Sequence, residues 1–563
     1  MSTGRAVTLV RCALLASLAC ACSGGEERLS VLLVTMDTTR PESITPFERG
    51  ARGVTPNLAA LARESVLYER AYATAPITLP AHTSMMTGLY PVRHTVRDNG
   101  MVVVPPSADT LAERARAAGY QTGAVVAAVV LDRAWGLDQG FETYDGPPPD
   151  PEQARLHIPD RSAADVARTA KSWLQARDKS RPFFLWVHFF DPHAPYEPPP
   201  EFLAQAGGHP YLGEVAAMDR EIGGLLELLR SDGALDDTLV MAIADHGESL
   251  GQHGEQTHAV FCYDATMRIP LIVRHPDGWR RGEVTHEIAS SVDVFPTLAE
   301  AMQLDVPAGI DGRSLFRSTV DADRGVYFES YYPFLNFGWS PLVGYVDAHG
   351  KLIQGNAPEL YRTNTDFVEK EDVAAQHPGD VERYRSKIAA IARRPALVRD
   401  PSSRVDESVV AQVQGLGYAG AADPDAELPA PLDPTDRMDP RTRLVELEQY
   451  RLATEIGPRG EPEKAIEMLQ EIVADNPRNV SALDHLGSHF TELARCTEAE
   501  AVIVRLREQG SEQAKRYTGV GRCYEKAGDF ARAVVMFQRA VELTGGGAAQ
   551  TQELERARAK LPR

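Results

Sequence analysis

The chain is predicted to fold as an α/β domain, a sheet flanked by helices, over residues 29–420, followed by an all-α unit over residues 441–547. Three observations carry this. From residue 29 to about residue 320, short apolar runs alternate with amphipathic stretches, as strands and covering helices do. Between 400 and 440, Pro and Asp crowd together (Asp423-Pro424-Asp425, Pro429, Pro431-Leu432-Asp433-Pro434, Asp439-Pro440), the composition of a linker, set here at 421–440. Beyond it, small residues recur every 34 positions. A chain of 563 residues exceeds one typical core, so two units are expected on length alone.

At the N-terminus, Arg5 and Arg11 precede an apolar stretch at 12–19, and small residues follow, the order of a secretion leader over residues 1–22. That stretch is too short to span a bilayer. Its end, Ala19-Cys20-Ala21-Cys22-Ser23-Gly24-Gly25, resembles a bacterial lipoprotein box. The resemblance implies lipid on Cys22, or alternatively Cys20, and an exported protein anchored to a membrane in the periplasm or outer envelope; a plain cleaved leader is the other reading. Three of six cysteines lie in this leader, and Cys262, Cys496 and Cys523 are too few for a disulfide framework.

Five runs, at 29–36, 122–130, 182–190, 238–244 and 270–274, hold the Val, Ile, Leu and Phe of buried strands. Three are followed at once by polar groups: Asp37, then Asp191-Pro192-His193, then Asp245-His246. Open α/β sheets place their sites just beyond the carboxyl ends of strands, so these groups are expected to share one crevice. In the C-terminal part, Ala465, Ala499 and Ala533 recur at the 34-residue spacing, as do Gly460, Ala494 and Gly528, and Gly487 with Gly521. The period resembles tetratricopeptide repeats, two to three of them over 441–547, which implies a protein partner; a plain helical bundle is the alternative. Cys496 and Thr497 depart from the pattern, standing where a Gly-x-aromatic turn is usual. A formal charge of -20, from 79 acidic and 59 basic residues, leaves no basic footprint for nucleic acid.

The most informative segment runs from Thr78 through Pro80, His82 and Thr87-Gly88 to Pro91. Pro80 suits the first turn of a helix, which puts Thr78 at the helix N-terminus, where backbone N–H groups favour an alkoxide and an anionic substrate. For a lone Thr, a helix cap would be the simpler reading. The segment resembles the nucleophile-x-Pro-x-x block, followed by Thr-Gly, of the sulfatase and alkaline phosphatase superfamily, with Thr78 in the nucleophile position. Other blocks resemble the family in order: 30–37 with Asp37, Val96-Arg97-Asp98-Asn99-Gly100, Phe190-Asp191-Pro192-His193, Asp245-His246-Gly247-Glu248, His258 ahead of 263–271, and Pro358-Glu359-Leu360-Tyr361.

The resemblance implies a sulfatase-like fold with a central mixed sheet and a covalent ester hydrolase. Asp37, Asp245, His246 and Thr78 would hold one divalent ion, Mn, Zn or Ca; His193 and His258 would be candidates to protonate the leaving group. His253 is a loop histidine with or without a role. Asn99 and His82 would bind substrate, Asn99 having an Asn-Gly turn as its plainer explanation. The substrate would be a small-molecule, glycan or lipid ester. Two departures bear on its chemistry. Sulfatases carry Cys or Ser, oxidised to formylglycine, where this chain has Thr78, so phosphate and phosphonate esters are expected over sulfate esters. His82 stands where sulfatases place Arg, and Thr38 where many have a second Asp. A head-group transferase and a non-catalytic repeat scaffold are the rivals; the lack of membrane spans beyond the leader speaks against the first, and retention of Thr78 with its three ligands against the second.

Overall fold

A computed structural model describes residues 28–45, 47, 53–147, 161–317, 323–400, 405, 409–410, 413 and 428–561. The leader and its cysteines, and residues 421–427 of the linker, lie outside the described residues. The core is an eight-stranded mixed sheet of β1 (Ser30–Met36), β2 (Val66–Tyr72), β3 (Gln121–Val125), β4 (Thr143–Asp145), β5 (Phe183–Phe189), β6 (Thr238–Ala244), β7 (Arg268–Arg274) and β8 (Val284–Ser290), in the order β4-β3-β5-β1-β6-β7-β2-β8. Strands β1, β5 and β6 are mostly apolar because both of their faces are covered, and every residue of β5 and β6 is buried. β7 runs antiparallel between β6 and β2.

Two groups of helices pack among themselves. Pro56–Ala62 and Ala163–Ala176 meet the long helix Pro210–Ser231, whereas Thr78–Thr87, Leu111–Ala117 and Val294–Ala301 meet one another. A second, antiparallel sheet of β9 (Gly325–Ser330), β10 (Leu342–Asp347), β11 (Lys351–Gln354) and β12 (Pro358–Tyr361) follows.

The run at 122–130 yields a shorter strand than its hydrophobicity suggests. β3 stops at Val125, and Val129–Leu131 turn through a short 3-10 helix that is nonetheless buried, so burial rather than strand pairing explains the apolar composition. The 428–440 stretch lies on the α/β unit: Tyr331 donates to the Pro429 carbonyl, and the Ser340 N–H donates to that of Met438.

Beyond it the chain is all helix. Pro462–Asp475, Cys496–Glu508 and Phe530–Leu543 each begin 34 residues after the last, alternating with Val480–Glu492 and Ala514–Lys526. Cys496 pairs with Cys523 in a disulfide, which accounts for the residue that broke the repeat pattern. These helices seat on the core through Asn476, which donates to the Phe337 carbonyl at 2.8 Å and to Glu446 at 2.7 Å. Among the described residues no helix is long and apolar enough to cross a membrane.

Candidate active site

Strand register builds the site. β1 pairs in parallel with both β5 and β6, Met36 opposite Phe189 on one side and Ala244 on the other, so all three strands end level. Asp37 and the Asp245-His246 pair therefore leave the sheet side by side. Antiparallel β7 starts at the same edge and brings the preceding loop, with His258, to it.

Over this edge stands the helix Thr78–Thr87, with Ile77 as its N-cap and Thr78 in its first turn. Thr78 Oγ1 lies 3.4 Å from Asp37 Oδ2 and 3.4 Å from His246 Nε2. His246 Nε2 lies 3.4 Å from Asp245 Oδ2 and 3.7 Å from Asp37 Oδ1. Two donors each ~2.1 Å from a tetrahedral ion stand ~3.4 Å apart, so these four side chains are spaced as ligands of a single cation.

Their electrostatics call for such a cation. All four are buried, and Asp37 Oδ1 and Asp245 Oδ2 have no hydrogen-bond partner. Burial raises both carboxyls above the usual carboxylate range. Burial alone would push His246 down, yet the Asp245 and Asp37 carboxyls outweigh it and raise the imidazole above its ordinary value. Two carboxyls taken out of water with one imidazole to share as counter-charge are costly, and a divalent ion removes that cost. The donor set fits the ion, and His246 Nδ1, which donates to the Gly247 carbonyl at 3.0 Å, leaves Nε2 as the ligand nitrogen.

A second group, His82, His188 and Asp245, overlaps the first through Asp245. Its chemistry is that of support. The Ala127 N–H donates to His188 Nδ1 at 3.3 Å, so the ring proton resides on Nε2, which lies 3.3 Å from Asp37 Oδ2 without forming a hydrogen bond. His82 Nδ1 donates to the Thr78 carbonyl at 2.9 Å and stands 3.6 Å from Asp245, its ring against Trp186 and His188. Burial lowers His82 to about 3 and His188 to about 4, so both are neutral near pH 7. His82, expected to bind substrate, instead lies one helical turn behind Thr78, wholly buried, and holds up the ligand set. Thr38, in place of a second Asp, donates its main-chain N–H to Asp245 at 3.3 Å and its hydroxyl to the Pro192 carbonyl at 2.9 Å.

His193 and His258 flank the cluster. Their rings meet edge to face at 5.0 Å, and His258 lies 4.7 Å from the His246 ring. Burial lowers His193 to about 4, and burial together with His246 lowers His258 well below its ordinary value. Asn99 accepts the Leu79 N–H at 2.8 Å, and its buried Nδ2 has no partner, a donor available to a substrate oxygen. Two residues followed in the sequence lie elsewhere. His253 stacks on Tyr263 at 3.6 Å and faces the Val368 carbonyl. Asp191 is half-buried, and desolvation raises it to about 6.

Sequence reasoning missed Glu248 and His188. Glu248 stood in a quoted block without a role, and His188 sits inside an apolar strand where it reads as core. Glu248 is buried and raised to about 7, with Oε1 3.1 Å from His258 Nδ1.

Residues 30–304 match the sulfatase family model, and residues 251–374 match that of the C-terminal region of N-sulphoglucosamine sulphohydrolase. The chain is 22% identical over 393 residues to an N-acetylglucosamine-6-O-sulfatase of Bacteroides thetaiotaomicron, covering 50% of this chain and 70% of that protein. It is 24% identical over 361 residues to human N-acetylgalactosamine-6-sulfatase, covering 54% and 69%. Among solved structures, the phosphonate monoester hydrolase of Agrobacterium radiobacter superposes with a TM-score of 0.55 at 22% identity, over 65% of this chain and 95% of that one.

Proposed function

We propose that this chain, whose residues 30–304 match the sulfatase family model, is a metal-dependent ester hydrolase with Thr78 as nucleophile, favouring phosphate and phosphonate esters over sulfate esters. One observation carries the reading: at the head of a helix, the Thr78 hydroxyl stands 3.4 Å from both Asp37 and His246.

Asp37, Asp245, His246 and Thr78 would hold one divalent ion, which supplies Lewis-acid charge to the Thr78 oxygen and to an ester oxygen. Thr78 Oγ1 gives its proton to Asp37 Oδ2 and forms the bond to phosphorus as the bond to the leaving oxygen breaks. Asn99 Nδ2 and the positive end of the helix dipole stabilise the remaining oxygens, the Leu79 N–H being taken by Asn99 and Pro80 having none. An imidazole across the crevice, His258 or His193, protonates the leaving oxygen. Water then attacks phosphorus in line, giving its proton to that imidazole, as the bond to Thr78 Oγ1 breaks and Asp37 returns the proton to Thr78. A sulfated Thr lacks the second hydroxyl through which a hydrated formylglycine expels sulfate, whereas a phosphorylated Thr yields to water directly. The solved phosphonate monoester hydrolase of similar fold is compatible with this preference, and the sulfatases among the relatives keep glycan sulfates as the competing substrate class.

The chain is also read as exported and lipid-anchored, with tetratricopeptide repeats that take a protein partner. The leader pattern supports export, as does the Cys496–Cys523 disulfide, a bond that persists in oxidising compartments. Helices starting 34 residues apart at Pro462, Cys496 and Phe530 support the repeats.

The test is a screen of metal-reconstituted enzyme and its Thr78→Ala variant on aryl sulfate, phosphate monoester, phosphate diester and phosphonate esters. Turnover of phosphorus esters by the wild type alone is expected. Efficient sulfate cleavage with no phosphorus-ester cleavage would reverse the preference, and unchanged turnover by Thr78→Ala would remove the nucleophile.

A further inference from the structure

We infer that Asn336 is a positioning residue for the Asn99 amide and that the C-terminal helices are part of the active-site scaffold: Ser481 holds Asn336, Asn336 holds Asp98, and Asp98 holds the main chain of Asn99. On the hydrolase reading above, this relay sets where the free Nδ2 of Asn99 meets a substrate oxygen.

Asn99 is tied on both sides. Its Oδ1 accepts the N–H of Leu79, the residue after Thr78, at 2.8 Å, and its own main-chain N–H donates to Asp98 Oδ1 at 2.9 Å. A side-chain amide is planar, so with Oδ1 fixed beside the nucleophile and the main chain fixed by Asp98, the direction of Nδ2 is set. That nitrogen is buried and has no partner. The second carboxylate oxygen of Asp98 accepts from Asn336 Nδ2 at 3.2 Å. Asn336 uses the rest of its amide as fully: Nδ2 also donates to the Tyr332 carbonyl at 3.2 Å, and Oδ1 accepts the Ser481 hydroxyl at 3.4 Å. Turning this amide over would set oxygen against oxygen at both Asp98 and Tyr332, so the network allows one orientation. Asn99 and Asn336 are 0% exposed, Asp98 2% and Ser481 5%, which leaves water little chance to replace a lost bond.

The far end of the relay is braced. Asn336 lies on the helix Tyr332–Phe337, and the C-terminal helices press on the end of that helix. The Phe337 ring meets that of Tyr450 at 5.2 Å, and a Cβ on Gly338 would stand 2.4 Å from the main-chain oxygen of Arg478. Ser481 is in the first turn of Val480–Glu492. Asn479 fixes the start of that helix, accepting the Ala482 N–H at 2.8 Å and donating to Glu446 at 2.9 Å. A movement of the C-terminal helices therefore reaches Asn99 through side chains that have no slack.

The test is a double-mutant cycle with Asn99→Ala. It is read on kcat/KM for a phosphonate ester and on the Kd of inorganic phosphate for the metal-loaded enzyme, with folding followed by thermal melting. Asn99→Ala should lose roughly 10²-fold in kcat/KM. Asn336→Ala should lose roughly 10-fold, as removal of a supporting partner does, and bind phosphate more weakly, with metal affinity unchanged by titration calorimetry. In the Asn99→Ala background the same substitution should cost less than about 2-fold. An Asn336 that only stabilises the fold would cost as much in one background as in the other. Equal losses in the two backgrounds, no loss in either, or a parallel fall in metal affinity would overturn the inference. Should Asn336→Ala not fold, Ser481→Ala decides by the same cycle: a loss of about 3-fold that disappears with Asn99→Ala supports the relay, and any other pattern overturns it. A wild type that binds phosphate but turns over no ester would refute the hydrolase reading alone, the phosphate constants then deciding the relay by the same rule. A wild type that does neither would end both.

Discussion

Substituting Gly247 should dismantle the ligand set from behind. A Cβ at this position would stand 2.2 Å from the main-chain oxygen of Ala265 and 3.2 Å from Cα of Thr266. An ordinary carbon–oxygen contact is about 3.3 Å, so one wall must retreat by roughly 1 Å. The 264–266 side is braced: Lys351 ion-pairs at 2.8 Å with both Asp264 and Glu369, and the Thr266 hydroxyl donates to the Phe261 carbonyl at 2.9 Å. The shift therefore falls on residues 245–247, which carry two ligands, Asp245 and His246.

A displacement of that size at reacting groups costs on the order of 10²-fold in rate, and overpacking costs about 1–3 kcal/mol of stability. The assay is kcat/KM on a phosphonate ester together with metal affinity by titration calorimetry. Gly247→Ala should lose roughly 10²-fold in the first and bind metal measurably more weakly. Gly379→Ala is the control, since nothing lies within 4 Å of its added Cβ, and it should match the wild type in both. Retention by Gly247→Ala of activity and metal affinity within about threefold, well short of the 10² expected, would refute the placement of the ligands.

Three further expectations concern stability. Arg97 engages Glu329 through two bonds of 2.6 and 2.7 Å, both side chains being nearly inaccessible, so Arg97→Met should destabilise the fold by about 3–5 kcal/mol in urea melts by leaving a buried carboxylate unpaired. Burial raises Asp98 to about 7 from 3.8, so the fold favours its protonated form. Its contribution is complete below pH 4 and is lost as pH rises through 7, a swing of roughly 4 kcal/mol. Urea melts from pH 4 to 8 should therefore show the wild type losing stability relative to Asp98→Asn, and parallel curves would contradict this. The Cys496–Cys523 bond closes a 27-residue separation, so reduction should lower the stability of the C-terminal helices by about 2–4 kcal/mol, seen as a lower melting temperature with reductant that Cys523→Ser abolishes.

What could be read from the residues followed what physical chemistry leaves in one dimension. Strands β1, β5, β6 and β7 were legible because burial on both faces makes them continuously apolar. β2 and β8 were not, because Glu69 and Arg70 in the one and His286 and Glu287 in the other break the hydrophobic run near the sheet's edge. The candidate ligand cluster was legible because a polar residue directly after a buried strand is conspicuous, as Asp37 and Asp245 are. His188 was not, since its function depends on Asp37 lying across from it on the neighbouring strand and on Ala127 supplying an N–H, neither of which spacing reveals. His82 was placed with the substrate by analogy of position, but a side chain one turn down the helix from Thr78 points back into the core against Trp186. The irregular Cys496 became intelligible only with its partner 27 residues away.

The account's central claim is that the Thr78 oxygen becomes bonded to the substrate. Metal-loaded enzyme mixed with a slowly released phosphonate ester, quenched in acid within one turnover and digested, should yield a phosphonyl adduct on the peptide containing Thr78, absent from Thr78→Ser only if the serine adduct turns over faster than the quench and absent from Thr78→Ala in every case. Stoichiometric release of the leaving group with that peptide unmodified, or hydrolysis by Thr78→Ala at the wild-type rate, would contradict it.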